Sequence, residues 1–352
     1  PLDRADRQIA LVAFALALAV YLRGVAPDVL GGDAGEFHFA AWRWGLAHPT
    51  GYPLYLLLGG LWQRVLGVIG VSPAHALNIF SAFIGAGAVS LCYLLMRRWL
   101  WEVPALGRLA AVWATFLFAV NPTVWSQSLI AEVYALHALL LLVILFVAQG
   151  LALPTLQEED AQDSAPLTLT AKQVALLAFL VGLGLTHHGM TLFIVPGLLL
   201  YLTLIDRRWW RNVRTWLAGA LAFAAPLLLY LYVPLRSGPS ASPWYHQRLG
   251  DGTLTLYDGS IQAFLDFITG RSISVGFYDL GAALGQVVQA ATLWRIHLTW
   301  AGLAVVLAGV AVLIWRRKWP VLALTLPLFV LQQIFNLFYA IGDILVYYIP
   351  LY

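Results

Sequence analysis

The chain of 352 residues is 61% hydrophobic and only 11% charged, with 20 basic and 17 acidic side chains. Charged residues supply about a quarter of a typical soluble domain, so this composition excludes a soluble globular protein and indicates a helical membrane protein. The net charge of +3 lies in clusters that give topology, not a nucleic-acid-binding pattern, and one cysteine, Cys92, supports neither a disulfide framework nor a thiolate metal site.

About nine apolar segments of spanning length recur along the chain. Each has roughly 15–23 residues, enough to cross a hydrocarbon layer of roughly 30 Å when tilt and partial burial are allowed. The first segment follows Arg4 and Arg7 without a small-residue cleavage site, which predicts a retained helix and not a signal peptide. We therefore expect an all-α polytopic membrane protein with a single transmembrane domain over residues 1–352. The predicted spans are 9–26, 76–96, 109–124, 133–153, 173–187, 190–205, 216–234, 298–315 and 320–341.

The basic residues between these spans give the orientation. Cytoplasmic loops carry the excess of Lys and Arg. With a cytoplasmic N-terminus, thirteen of the twenty basic residues fall on the cytoplasmic side. They are Arg4, Arg7, Arg97, Arg98, Arg108, Lys172, Arg207, Arg208, Arg211, Arg214, Arg316, Arg317 and Lys318.

Residues 53–69 decide this topology, because a further crossing there would move every later basic cluster to the outside. The segment is apolar but carries Trp62 and Arg64, which favours a helix lying along the outer interface. Residues 36–46 are predicted to form a similar juxtamembrane helix. The first outer loop then covers residues 27–75 and carries both helices.

Two further connections are long. Residues 235–297 form the second large outer loop, where Pro239 and Pro243 among glycines and serines favour irregular backbone. The cytoplasmic connection 154–172 is acidic and is predicted to be a solvated linker.

Titratable side chains gather where five connections meet the outer face. A charge in the hydrocarbon costs roughly 2.5–3.5 kcal/mol on insertion scales, so several charges at one depth predict a shared aqueous cavity. The residues are Asp33, Glu36, His48 and Tyr52 in the first outer loop, Glu132 and Tyr134 after the third span, His187 and His188 after the fifth, Arg236 after the seventh, and Asp343 and Tyr347 after the ninth.

Each of these residues also has a structural interpretation. The spacing of Asp33 and Glu36 suits a helix capping box, in which both side chains only satisfy backbone amides. Glu132 and the two adjacent histidines suit the interface as side chains that reach the headgroups, and Arg236 suits a plain anchoring role. The sequence leaves these alternatives open.

An ordered set of short motifs carries a resemblance over residues 8–352. The motifs are GGDAGEF, AHPTGYPLY, NIFSA, VWSQSLIAEVY, GLTHHG, YVPLRS and YAIGDILVYYIP. Together they resemble the multi-spanning protein O-mannosyltransferase-like family. The resemblance implies a GT-C glycosyltransferase fold with an acidic motif in the first outer loop, a polyprenyl-phosphate sugar as donor, and transfer with inversion. It also implies that a soluble C-terminal region can follow the membrane domain.

The resemblance, with the chemistry of transfer, gives the candidate residues their roles. Asp33 is the favoured base for the acceptor hydroxyl, with Glu36 positioning or replacing it. The family carries adjacent Asp-Glu and a later His-Pro-Pro, whereas this chain separates its acids and has His48-Pro49-Thr50. Donor or phosphate binding is assigned to His48, Tyr52, Glu132, Tyr134, His187, His188, Arg236, Asp343 and Tyr347.

Several points stay open at the level of sequence. Mannose is the favoured sugar, and the acceptor is Ser or Thr of a translocated protein, with a glycolipid as the alternative. A transporter or flippase of lipid-linked or small polar solutes is the competing class, and a non-catalytic scaffold or sensor is a third. A divalent cation (Mn, Mg or Zn) held by Asp33, Glu36 and a histidine is a minor alternative. The bacterial plasma membrane is favoured, or the endoplasmic reticulum for a eukaryotic chain, with the active site facing away from the cytoplasm.

Overall fold

A computed structural model describes residues 2–157, 168–273 and 276–352, so most of the predicted acidic linker lies outside the described residues. The described chain is mostly helical, with one two-stranded antiparallel hairpin, β1 (His246–Leu249) and β2 (Gly252–Thr255). The α-helices are α1 (Arg4–Gly24), α2 (Asp33–Arg43), α3 (Pro53–Gly67), α4 (Pro73–Trp99), α5 (Pro104–Val120), α6 (Pro122–Gln127), α7 (Tyr134–Gln157), α8 (Ala171–Leu185), α9 (Val195–Ile205), α10 (Val213–Leu227), α11 (Tyr232–Arg236), α12 (Ile261–Ile268), α13 (Leu280–Trp315) and α14 (Trp319–Phe338).

Local sequence explains where many helices begin. Pro53, Pro73 and Pro104 are the first residues of α3, α4 and α5. Proline suits this position because its φ is already helical and the amide hydrogen that it lacks has no partner in the first turn. Ser72 and Asp279 cap α4 and α13 by accepting hydrogen bonds from His75 N and Ala282 N.

Apolar helices occupy all nine predicted spans. Six are long and apolar enough to cross a membrane, and three shorter apolar helices cover Pro104–Val120, Ala171–Leu185 and Gly189–Ile205. The predicted all-helical membrane architecture is confirmed, and the number of crossings remains a prediction.

The second outer loop is more ordered than its composition predicts. It contains the hairpin and α12, and α13 begins at Leu280, well before the predicted start of the eighth span at residue 298. Thr299 has a φ of 59° within α13, so two helices meet there at a kink. The Pro, Gly and Ser residues that favour irregular backbone lie only in the first part of this loop. They therefore do not argue against a helix in its last part, where α13 begins.

Helix α3 has two different faces. Tyr55, Leu56 and Gln63 are buried against neighbouring elements, and the Gln63 amide donates to the carbonyls of His38 and Pro73. The opposite face is apolar and exposed at Leu58, Leu61, Val65 and Val68. One packed face and one exposed apolar face suit a helix lying in the membrane interface, which supports the predicted position of residues 53–69.

Ion pairs hold the predicted cytoplasmic connections together at one end of the bundle. The Asp6 carboxylate at the start of α1 accepts from Arg97 Nε at 3.1 Å and Arg108 Nε at 3.0 Å, which joins the end of α4 to the start of α5. Glu102, between α4 and α5, pairs with Lys318 between α13 and α14. The opposite ends of these helices therefore face the other side, where the titratable residues lie.

At that opposite end, the second outer loop fixes the backbone that follows α2. Tyr232 OH donates to the carbonyl of Gly45 at 2.9 Å, Trp244 Nε1 to Leu46 at 2.8 Å and Tyr245 OH to Ala47 at 2.8 Å. Ser242 Oγ accepts from Leu46 N at 2.6 Å, and Arg236 Nε donates to the carbonyl of Trp44 at 2.5 Å. We call these contacts the carbonyl clamp. It sets the position of the residue that follows, His48.

The predicted orientation can be tested by cysteine labelling in vesicles. Arg208 and Asp251 are both exposed, at opposite ends of the predicted topology, and the native Cys92 is buried. With a membrane-impermeant maleimide, Asp251→Cys should react in right-side-out vesicles and Arg208→Cys only after permeabilisation. The reverse pattern would show that residues 53–69 cross the membrane or that the N-terminus lies outside.

Candidate active site

A cavity of about 420 Å³ opens between the first outer loop and the ends of α7, α8 and α14. Eight of the eleven predicted site residues line it, drawn from four separate connections. They are Asp33, His48, Tyr52, Glu132, Tyr134, His188, Asp343 and Tyr347. The three that do not line it are Glu36, His187 and Arg236.

The first turn of α2 presents the acidic motif. Gly32, with a φ of 69°, is the residue before the helix, and no side chain caps it. The capping-box interpretation of Asp33 and Glu36 is therefore wrong. Asp33 is the first helical residue, and its side chain is 66% exposed and faces the cavity. A carboxylate at a helix N-terminus is stabilised by the helix dipole.

Glu36 binds a histidine twelve residues further along the chain. Its Oε2 lies 2.5 Å from His48 Nδ1, while His48 Nε2 lies 3.2 Å from Tyr52 OH and 3.9 Å from Asp33 Oδ2. Burial alone would lower the pKa of His48, but the hydrogen bond and charge of Glu36, with Asp33 and Glu132, raise it above its usual value. The surrounding carboxylates thus shift His48 toward its imidazolium form.

The other acids of the cavity are held toward their neutral form. Burial, together with the negative charge of Asp33, raises the pKa of Glu132 to about 8, and Asp343 adds to this effect. Burial and then Asp33 also raise the pKa of Asp343. Carboxylates that share one cavity cannot all ionise cheaply, so Glu132 can donate a hydrogen bond near neutral pH.

The adjacent histidines have different roles. His187 is fully buried, and its Nε2 donates to the carbonyl of Val133 at 2.8 Å, which ties the end of α8 to the start of α7. His188 lines the cavity, and its Nδ1 accepts from Met190 N at 3.3 Å. Burial, followed by the neighbouring histidines, lowers the pKa of His188 to about 3. His188 is therefore neutral with its proton on Nε2, the nitrogen left to donate.

Arg236 does not line the cavity, which is where a residue that binds the donor phosphate would lie. Both of its described hydrogen bonds go to main-chain carbonyls, those of Trp44 and Arg43. Among the described residues, Arg271 is the one Lys or Arg that lines the cavity. Its side chain is 77% exposed and pairs with Asp266 at 3.7 Å.

Part of the cavity lining is apolar. This apolar wall consists of Met190, Phe193, Phe277, Phe335 and Ile341, which come from the segments after α8, before α13 and at the end of α14. The cavity thus offers polar groups together with an apolar wall that suits a hydrocarbon chain.

The described residues contain no group of three or more His, Cys, Asp or Glu side chains arranged to hold a metal ion. Glu36, one of the proposed ligands, is bound to His48. The divalent cation remains a prediction.

Comparison with a solved structure establishes the fold class. ArnT from Cupriavidus metallidurans, crystallised with undecaprenyl phosphate, aligns with 97% of this chain over 57% of its own, with a TM-score of 0.57 and 14% identity. The chain thus has the GT-C glycosyltransferase fold, a fold of membrane proteins, as the sequence predicts.

Sequence comparison identifies the family. The family model of the protein O-mannosyl-transferase TMEM260 N-terminal domain matches residues 33–212, just over half of the chain, and the chain belongs to this family. The mouse protein O-mannosyl-transferase TMEM260 is 34% identical over 238 residues, 66% of this chain and 31% of its own length. The Dictyostelium discoideum protein O-mannosyl-transferase tmem260 is 29% identical over 182 residues, 50% of this chain and 21% of its own. The chain spans no more than a third of these relatives.

Replacing Glu36 by Gln should lower the pKa of His48, because the substitution removes the charge and the strongest acceptor that hold its proton. A histidine whose pKa is raised on folding stabilises the folded protein at pH values below its unfolded-state pKa. This stabilisation is lost as the pH rises through the folded-state pKa. NMR titration of the ring nitrogens should therefore show deprotonation of His48 at a lower pH in Glu36→Gln. Glu102→Gln, at the other end of the molecule, should leave it unchanged. An unshifted His48 in Glu36→Gln would contradict the pairing.

Proposed function

We propose that this chain is the membrane-embedded part of a glycosyltransferase that moves a sugar, with mannose favoured, from a polyprenyl phosphate to a hydroxyl acceptor. The favoured acceptor is Ser or Thr of a translocated protein. The observation that carries the proposal is one outer cavity with an exposed acid at a helix N-terminus, a guanidinium and an apolar wall. The names of the relatives and the fold of ArnT support the same reaction class.

In this proposal Asp33 is the base. As the acceptor oxygen attacks the anomeric carbon, its proton passes to the Asp33 carboxylate, and the bond from that carbon to the phosphate oxygen breaks. Asp33 is suited because it faces the cavity, while Glu132 is held toward its protonated form. Glu36 is then a positioning residue, which acts through His48 and does not itself line the cavity.

The leaving lipid phosphate needs cations or hydrogen-bond donors. Arg271 supplies a permanent charge in the cavity lining, and neutral His188 supplies an Nε2 proton. Tyr347, whose ring lies 6.0 Å from that of His188, is a third donor.

The apolar wall supports a lipid-linked donor. Phe193 and Phe335 lie against each other with ring centroids 5.3 Å apart, between the segment after α8 and α14. The first isoprenoid units of a carrier would pack on this wall while its phosphate faces the donors. A transporter of polar solutes would need polar groups near the middle of the membrane, whereas the titratable residues of this cavity lie at helix ends.

Asp33→Asn should lower the rate of transfer by about 10²- to 10⁴-fold, the usual contribution of a positioned base. The assay uses purified protein, a polyprenyl-phosphate mannose and a Ser/Thr-containing peptide, with the glycopeptide measured by mass spectrometry. Asp251→Asn in the exposed hairpin is the matched control and should transfer at the wild-type rate. If Asp33→Asn transfers sugar at the wild-type rate, Asp33 is not the base. Movement of substrate into vesicles without a covalent product would favour a transporter.

Two arginine variants separate phosphate binding from scaffolding. Arg271→Gln should raise the KM for the donor about 10- to 100-fold, as expected for one charge-assisted hydrogen bond, and leave thermal stability near that of the wild type. Arg236→Gln should instead lower the Tm, because the Trp44 carbonyl of the carbonyl clamp and the neighbouring Arg43 carbonyl lose their donor. A donor KM that rises only in Arg236→Gln would reverse these assignments.

A further inference from the structure

A second hollow of about 230 Å³ adjoins the cavity at the outer end of the molecule. The two share Tyr339 and Ile341, which stand between them as a partition. Gly342 lines the second hollow and the next residue, Asp343, lines the cavity. A ligand in the hollow therefore lies next to the cavity that contains the proposed reaction centre.

The hollow is polar but uncharged. Its polar side chains are amides and phenols, and no Asp, Glu, Lys, Arg or His appears among the described residues that line it. Gln286 and Gln289 lie three positions apart on α13, so they occupy the same helix face. Tyr278 stands just before this helix.

The free hydrogen-bonding groups of the hollow come from this helix face. Within the part of the chain that the structure describes, the Gln286 and Gln289 amides and the Tyr278 hydroxyl have no hydrogen-bond partner. By contrast, the Asn336 amide on the opposite wall is satisfied, with its Nδ2 donating to the carbonyl of Tyr347 at 3.2 Å and its Oδ1 accepting from Gln332 at 2.9 Å. One wall is therefore fixed and the other is available to a ligand.

We propose that this hollow binds the main chain of the acceptor polypeptide next to the residue that receives the sugar. This inference rests on the proposed function. A carboxamide offers one acceptor and two donors, which matches the carbonyl and amide of a peptide unit, and two carboxamides on one helix face can bind successive units. A lipid phosphate is disfavoured here because no Lys, Arg or His among the described lining residues offsets its charge.

The size of the hollow agrees with this occupant. Pockets that hold a whole drug-sized ligand usually measure roughly 300–1,000 Å³, so 230 Å³ holds only part of a larger molecule. The remainder of an extended chain can leave along the exposed surface, since Gln289 itself is exposed. Tyr339 and Ile341 then separate the acceptor backbone in the hollow from the donor phosphate in the cavity. The hydroxyl of the acceptor Ser or Thr reaches past them into the cavity.

The double variant Gln286→Ala/Gln289→Ala tests the proposal. Loss of two neutral hydrogen bonds should raise the KM for the acceptor peptide about tenfold, with the KM for the donor and the acceptor-independent hydrolysis of the donor unchanged. Gln247→Ala, a matched exposed glutamine on the hairpin, should behave as wild type. An unchanged acceptor KM would overturn the inference, and so would a change confined to the donor KM, which would assign the hollow to the donor.

A variant that adds a charge to the hollow tests the proposal in a second way, which does not depend on small changes in the stability of the protein. Gln286→Glu should lower the KM for a peptide with Lys beside the acceptor residue by about threefold or more, and raise it for the matching Asp peptide. Equal responses to the two peptides would show that the acceptor does not pass this helix face. If the wild type neither transfers sugar nor hydrolyses the donor, the proposed function itself fails, which is a different result.

Discussion

The carbonyl clamp is the constraint on which the outer half of the molecule depends. Side chains from residues 232–245 bind the backbone of residues 43–47, which belong to the other outer loop. Buried backbone polar groups require partners, and here those partners come from nearly two hundred residues away. His48 follows directly, so the contacts between the two loops fix the backbone from which its bonds with Glu36 and Tyr52 are made.

Electrostatics then distinguishes the acids that the fold brings together. Asp33 is exposed at a helix N-terminus, whereas burial and mutual repulsion push Glu132 toward its neutral form. The hydrogen-bonded pair of Glu36 and His48 stands beside them, with His48 Nε2 3.9 Å from Asp33 Oδ2. Similar carboxyl groups thus receive different protonation states from their surroundings, which is what a site needs if it must both accept a proton and donate hydrogen bonds.

Much of the architecture could be predicted because hydrophobic length and arginine placement are local properties of the sequence. The gathering of acids and histidines at one end followed from the same reasoning. Arg236 was predicted to bind the donor phosphate, and its contacts could not be foreseen because its partners are main-chain carbonyls that no residue pattern reveals. Arg271 lies in the second outer loop, where nothing in the sequence singles it out from the other charged residues. Its place depends on how the chain turns after α12, where Gly270 has a φ of 76°.

The small size of the cavity has a consequence for carrier selectivity. With the proposed polyprenyl-phosphate donor, a volume of about 420 Å³ would hold a sugar phosphate and the first links of the isoprenoid chain, and the rest of the carrier would stay among lipid tails. Recognition then ends a short way below the phosphate. Chain length and distal double bonds would influence how a carrier partitions into the bilayer and leave turnover at the protein nearly unchanged. Such tolerance would let one fold serve membranes whose polyprenols differ.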